Sequence, residues 1–180
     1  FTAIHLLWIN IIMDGPPAMT LGVEPARPGL MRGPPRSQTA QILDSGRLLR
    51  LALYGVTMMV GTLFMFRHGL TAHDQPYALT LAFTTFVLFQ FFNVFNARAE
   101  RGSTFNAAFF ANGRLWQALA GVLALQVLVV HWGPAQSVFD TVDLSLRDWG
   151  LAVAVAATVL FLDEARKCLG KRFHARDSGR

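Results

Sequence analysis

The sequence predicts an all-α fold, a polytopic membrane bundle of five transmembrane helices. Three observations carry that prediction. Hydrophobic residues fill 53% of the 180 positions and charged ones only 15%, and the mean hydropathy is +0.38, a balance foreign to a water-soluble globule. Four stretches, 51 to 66, 77 to 97, 115 to 133 and 149 to 162, contain no Asp, Glu, Lys or Arg, and residues 3 to 22 add a fifth apolar run. All of the 16 Lys and Arg residues except Arg67 and Arg147 fall between the first and second runs, between the third and fourth, or after the fifth. Basic loops are retained on the cytoplasmic side, so the odd spans are expected to run towards the cytoplasm and the even ones away from it.

The first span, residues 3 to 22, is apolar at both ends and polar in its centre. Its core, "WINIIMDGPP", places Asn10 and Asp14 in hydrocarbon and then closes with Gly15, Pro16 and Pro17. Of the 11 acids, Asp14 alone lies deep within a predicted span, where an ionised carboxylate costs roughly 3 kcal/mol on insertion scales. Asn10 precedes it by four residues, on the same helical face, so the amide oxygen and the carboxylate are expected to point at one spot. Pro16 and Pro17 have no N–H for the carbonyls of Ile12 and Met13, so a regular helix must break there. Irregular backbone at membrane depth is tolerated where it lines a cavity or binds an ion. These hard oxygen donors suit calcium, magnesium or manganese better than copper or zinc.

Residues 23 to 46, with Pro25, Pro28, Pro34 and Pro35 among Arg residues, read as an extended cytoplasmic loop. Residues 47 to 167 are assigned to four further spans. The second is short, with Gly55 and Gly61 as points of close helix approach and Met58-Met59 as core packing. The loop 67 to 76 follows, carrying His68 and His73 without a supporting acid cluster. The third span places Gln90, Asn93 and Asn96 on one face. Gln90 is a weaker metal-ligand candidate, and the two Asn residues are expected to hydrogen-bond between helices. The fourth span has a small-residue pair, Ala120 and Ala124, with Trp132 at its interfacial end. The fifth has Ala152 and Ala156 in helix-packing spacing and ends at Asp163-Glu164. Residues 168 to 180 form a basic cytoplasmic tail, expected to be solvated or to lie against lipid headgroups. His5 is expected to be a satisfied helix-end histidine, and Cys168 a buried thiol rather than a lipidation site.

Several function classes drop out. A single cysteine excludes an internal disulfide, the basic residues sit beside spans without the aromatic interleaving of a nucleic-acid binder, and the phosphate-loop, nucleophile-elbow and zinc-protease signatures are absent. Phe1 opens the chain inside an apolar run, without a Met or a signal peptide's basic start, which reads as a piece of a longer polypeptide.

With these residues in view, "LLWINIIMDGPPAMTLGVEP" followed by "LMRGPPR" closely resembles the sixth transmembrane helix and adjoining cytoplasmic loop of calcium-type P-type ATPases, particularly the secretory-pathway calcium/manganese pumps. "TTFVLFQFFNVFNAR" resembles the eighth helix of that superfamily, nearest the plasma-membrane calcium pumps. The resemblance implies helices six to ten of such a pump. Asn10 and Asp14 then fall on sixth-helix ion ligands. Met13 takes the place of a Thr ligand, and Gln90 that of an eighth-helix Glu, which implies one transported ion per cycle. Calcium or manganese is the implied cargo; ATP and magnesium act only through domains absent from this chain, since it lacks the phosphorylated D-K-T-G segment. The implied partners are membrane lipid, the remaining transmembrane helices and the cytoplasmic phosphorylation domain, which the loop 23 to 46 would contact. An inner membrane is implied for a bacterial pump, otherwise a secretory-pathway or plasma membrane. A non-catalytic scaffold or accessory helix module, or a pump of the same family for another cation, are the competing readings.

Overall fold

Helix formation runs further than the uncharged runs suggest. A computed structural model describes residues 1–23, 44–98, 110 and 112–177, with side chains as far as Cys168; most of the loop 23 to 46 therefore lies outside the described residues. The described chain is helical, in the order α1 (Ala3–Trp8), a π-helical turn (Ile9–Met13), α2 (Gly15–Gly22), α3 (Ser45–Ala72), α4 (Gln75–Arg98), α5 (Gly113–His131), α6 (Gly133–Phe139) and α7 (Leu146–Asp177). Three of these, α3, α4 and α5, are long and apolar enough to cross a membrane. The expected first span is divided among α1, the π turn and α2, and the expected fifth lies inside α7.

The short second run becomes a helix of 28 residues, about 42 Å long at 1.5 Å per residue. It starts where the Asp44 side chain accepts the N–H of Arg47 at 2.7 Å, a standard N-cap, and it passes Arg67 and His68 before stopping at Ala72. The anticipated loop 67 to 76 is thus reduced to His73-Asp74 between two helices. Charged residues flanking an apolar run do not end a helix; they carry it into the headgroup layer.

α4 is the central post. Every residue from Thr80 to Thr85 is buried, so this helix covers its whole circumference, as an apolar-all-round helix must. On one side Leu81, Leu88 and Phe89 pack with Tyr54, Met58 and Met65 of α3 and with Ala152, Ala156 and Val159 of α7. On the other, Phe83 and Val87 pack with Ile9 and Met13 of the broken helix and with Val122 and Val129 of α5. Of the small residues, Ala152 and Ala156 are fully buried, whereas Ala120 and Ala124 are exposed. A Cβ on Gly61 would stand 2.5 Å from the Phe89 ring and 3.1 Å from Val155, while one on Gly55 meets nothing. Of the two expected points Gly61 alone is a close approach; Gly69 is a further one, where a Cβ would stand 2.7 Å from the Ala78 Cα. Met58 is buried but Met59 is 54% exposed: adjacent helical residues point about 100° apart, so one partner faces the core and the other faces outward.

Buried polar pins fasten both ends of this layer. At one end Asp148 accepts the Tyr77 hydroxyl at 2.5 Å and the Ser145 hydroxyl at 2.6 Å, with His68 Nε2 3.8 Å away. At the other end the Tyr54 hydroxyl donates to Asp163, whose carboxylate also takes Arg166 and Lys167 at 2.7 Å each. Lys167, just before the tail, is only 8% exposed because it neutralises a fully buried acid; the side chains of the tail beyond Cys168 lie outside the described residues. α7 itself continues to Asp177. Cys168, expected to be buried, is exposed, since it lies beyond the residues that close on Asp163.

Two outcomes follow. Gly61→Leu should lower stability by about 1–3 kcal/mol through overpacking, read as a fall in the thermal midpoint of the detergent-solubilised protein, while Gly55→Ala should leave it near wild type. Burial alone would raise the pKa of Asp148, but hydrogen bonds from Ser145 and Tyr77 and the charges of His68 and His73 outweigh it and hold the carboxyl below its ordinary value. A depressed folded pKa gives stability that is present above about pH 4 and lost as pH falls through the folded pKa. The acid limb of the midpoint-versus-pH curve should accordingly be shallower in Asp148→Asn than in wild type.

Candidate ion-binding site

The first half of the broken helix is tightly held. Thr2 and His5 form a reciprocal cap, each backbone N–H reaching the other's side chain at 3.4 Å, the arrangement known as a capping box. His5 Nδ1 therefore accepts, which leaves Nε2 to donate to the Phe139 carbonyl at 2.7 Å. The ring stacks on Phe83 at 4.3 Å and is 1% exposed. This is the satisfied histidine expected from the sequence. One turn later Trp8 Nε1 donates to Gln126 Oε1 at 3.1 Å.

The break then takes a defined form. The Asp14 N–H bonds to the Ile9 carbonyl at 3.2 Å, five residues back, so the turn Ile9–Met13 is widened by one residue. Gly15 restarts the helix with Pro16 and Pro17 in its first turn, where a missing N–H costs nothing. Asp14 is the N-cap of α2, but its side chain makes no capping bond. The carboxylate thus stays available, at the helix end that favours negative charge. α2 is fastened more lightly: Asn112 caps α5 through Leu115 N at 3.0 Å and donates to the Thr20 carbonyl at 3.2 Å.

Beside the break lies a cleft of about 290 Å³, lined by Met13, Asp14, Pro17, Ala18 and Leu21 on one wall and Gln90, Asn93, Val94 and Ala97 of α4 on the other. It brings together Asp14 and Gln90, as the sequence suggested, and adds Asn93, which had been read as an interhelical bond. Asn96 does serve that purpose, donating to the Val159 carbonyl at 3.1 Å. Asn10 does not line the cleft; like Asp14 it is exposed on the described surface. The polar side chains of the cleft are one carboxylate and two amides. Among the described residues no group of three or more His, Cys, Asp or Glu could hold a metal. The carboxylate and amide oxygens are hard donors, of the kind that suits calcium, magnesium or manganese better than copper or zinc.

The described residues thus form a helical bundle, with three helices apolar enough to cross a membrane, in which a broken helix sets an acid across a cleft from two side-chain amides. Residues 1–169 match the family described as "Cation transporting ATPase, C-terminus", and the chain belongs to that family, as a C-terminal part of a P-type ATPase translocase. It is similar to the calcium-transporting ATPase type 2C member 2 of Mus musculus, 39% identical over 176 residues, which covers 97% of this chain. It is also similar to calcium-transporting ATPase 1 of Schizosaccharomyces pombe, 38% identical over 175 residues and 94% of this chain, and to the human type 2C member 1, 36% identical over 166 residues and 92% of this chain. The chain spans 18 to 19% of the length of these curated relatives.

Proposed function

We propose that this chain supplies part of a single calcium or manganese site for ATP-driven export, with Asp14 and Asn10 as ligands on the broken helix and Gln90 as a weaker ligand from α4. The observation that carries the reading is the Asp14 carboxylate, uncapped at a π-to-α break and facing amide oxygens across a cleft. In this reading the exposed edge bearing Asn10 and Asp14 is completed by helices elsewhere in the pump. Gly15, Pro16 and Pro17 let the two helix halves tilt independently. Five spans, the last within α7, place the Arg-rich loop 23 to 46 and the tail on the cytoplasmic side. The loop then contacts the domain that carries the phosphorylated aspartate. The relatives named for calcium transport support calcium as the cargo; manganese rests on the resemblance of the first motif to pumps that carry both.

In the complete pump, Asp14→Asn should reduce calcium-dependent phosphorylation by ATP to background while phosphorylation by inorganic phosphate in the absence of calcium persists. Normal calcium dependence in that variant would defeat the assignment and favour a scaffold role. Running the same assay with manganese decides the cargo. Calcium takes six to eight oxygens, and this chain contributes far fewer. Isothermal titration of the isolated 180-residue chain should accordingly show no binding in the micromolar range.

A further inference from the structure

We propose that Gln126 is a positioning residue for the ion site, setting the register of the broken helix against α4. The inference rests on the reading of Asp14 as a ligand. Gln126 is completely buried and uses both ends of its amide: Oε1 accepts from Trp8 Nε1 at 3.1 Å and Nε2 donates to Thr84 Oγ1 at 3.2 Å. It thereby joins α1, α5 and α4 at one level. Six residues beyond Trp8 is Asp14, and six residues beyond Thr84 is Gln90, on the facing wall of the cleft.

The two helices run parallel, because higher-numbered residues of one meet higher-numbered residues of the other: the bridge joins Trp8 to Thr84, and the cleft sets Asp14 and Leu21 beside Gln90 and Ala97. Equal sequence offsets from a common bridge, shortened slightly on one side by the wide turn, bring Asp14 and Gln90 to similar heights on one cleft. A slip of one turn, about 5.4 Å, would separate them. Apolar contacts alone do not forbid such a slip, because Ile9 and Met13 pack among Phe83, Val87 and Val122, a surface of similar side chains without direction. The amide does forbid it, since its donor and acceptor each have one matching partner and an unpaired polar group in this setting is costly.

The test is made in the complete pump with Gln126→Met, which keeps the side-chain length and removes both bonds, Trp8→Phe, which removes the N–H and keeps a ring against Phe139, and the double variant. Ion-dependent phosphorylation by ATP is titrated with calcium, phosphorylation by inorganic phosphate is measured without it, and Asp14→Asn is run in parallel. The expected result is a half-saturating calcium concentration raised about tenfold in each single variant and no further in the double, with the calcium-saturated phosphoenzyme level and the inorganic-phosphate reaction unchanged. Gln126→Glu, protonated in its buried site, keeps an acceptor for Trp8 and a donor for Thr84 and should restore the affinity. Wild-type half-saturation in Trp8→Phe and Gln126→Met, or a loss confined to the maximal level, overturns the proposal. If Gln126→Met fails to fold, Trp8→Phe decides on the same readings. If Asp14→Asn abolishes calcium dependence while the other variants behave as wild type, the positioning role fails and the site stands. If Asp14→Asn keeps its calcium dependence, the site itself fails, and this inference with it.

Discussion

Two consecutive prolines in an apolar environment impose the constraint on which the site depends. Neither can donate to the preceding turn, and in hydrocarbon no water replaces the missing bonds. The chain answers by widening one turn, so that the Asp14 N–H reaches Ile9, and by beginning a new helix in which the prolines occupy first-turn positions. The break leaves an acid at the junction as an N-cap that caps nothing. A continuous helix would have turned the same carboxylate to a fixed side and satisfied every backbone group without it. The disruption of the ladder and the availability of the carboxylate are one event.

The remainder of the bundle makes that break affordable by being rigid elsewhere. α4 is buried all round and carries both the apolar floor under the π turn and the amides that face Asp14. α3 and α7 brace α4 from behind, where Gly61 admits the Phe89 ring. They are fastened by buried acids at the two ends, Asp148 with Tyr77 and Ser145, and Asp163 with Tyr54, Arg166 and Lys167. Each acid has its donors matched before it is buried, the condition under which buried charge is tolerable.

Legibility in the sequence followed the range of the interaction. The prolines, the acid and their spacing are local, so the break and the Asp14 candidate could be read directly from ten residues. Runs free of charge located the helix centres, but they understated helix length, because Arg47, Arg67 and His68 are compatible with a helix that leaves the apolar layer. Which side of a helix faces a neighbour is a tertiary fact. That is why Met58 and Met59 part company, why Ala152 and Ala156 are buried while Ala120 and Ala124 are not, and why Cys168 is exposed. Asp163 marked only the end of the fifth span in the sequence, and its role as a buried anchor was not legible there because its partner Tyr54 lies 109 residues away. Asn93 was placed with Asn96 by spacing, yet the three-residue step rotates it enough to line the cleft. Gln126 lies in the middle of an otherwise apolar run, and its bonds to Trp8 and Thr84 join residues 118 and 42 positions away, beyond the reach of any spacing rule.

The two halves of the broken helix are fastened unequally, and this asymmetry bears on how such a site can alternate. α1 has a capping box, a charge-neutral histidine bond to Phe139 and the indole bond to Gln126, all in buried or half-buried surroundings. Among the described residues α2 has a single long-range side-chain bond, from Asn112 to a backbone carbonyl, and its Met19 and the following Val23 are exposed. A force transmitted to both halves would displace the one with fewer specific bonds, and the wide turn between them has no proline-blocked ladder to resist bending. Because Asp14 sits at the joint, as the N-cap of α2, movement of α2 changes the direction of its carboxylate relative to Asn10, which lies one turn earlier in Ile9–Met13. Two polar side chains that straddle a joint change their separation when the joint bends, whereas two on one rigid helix cannot.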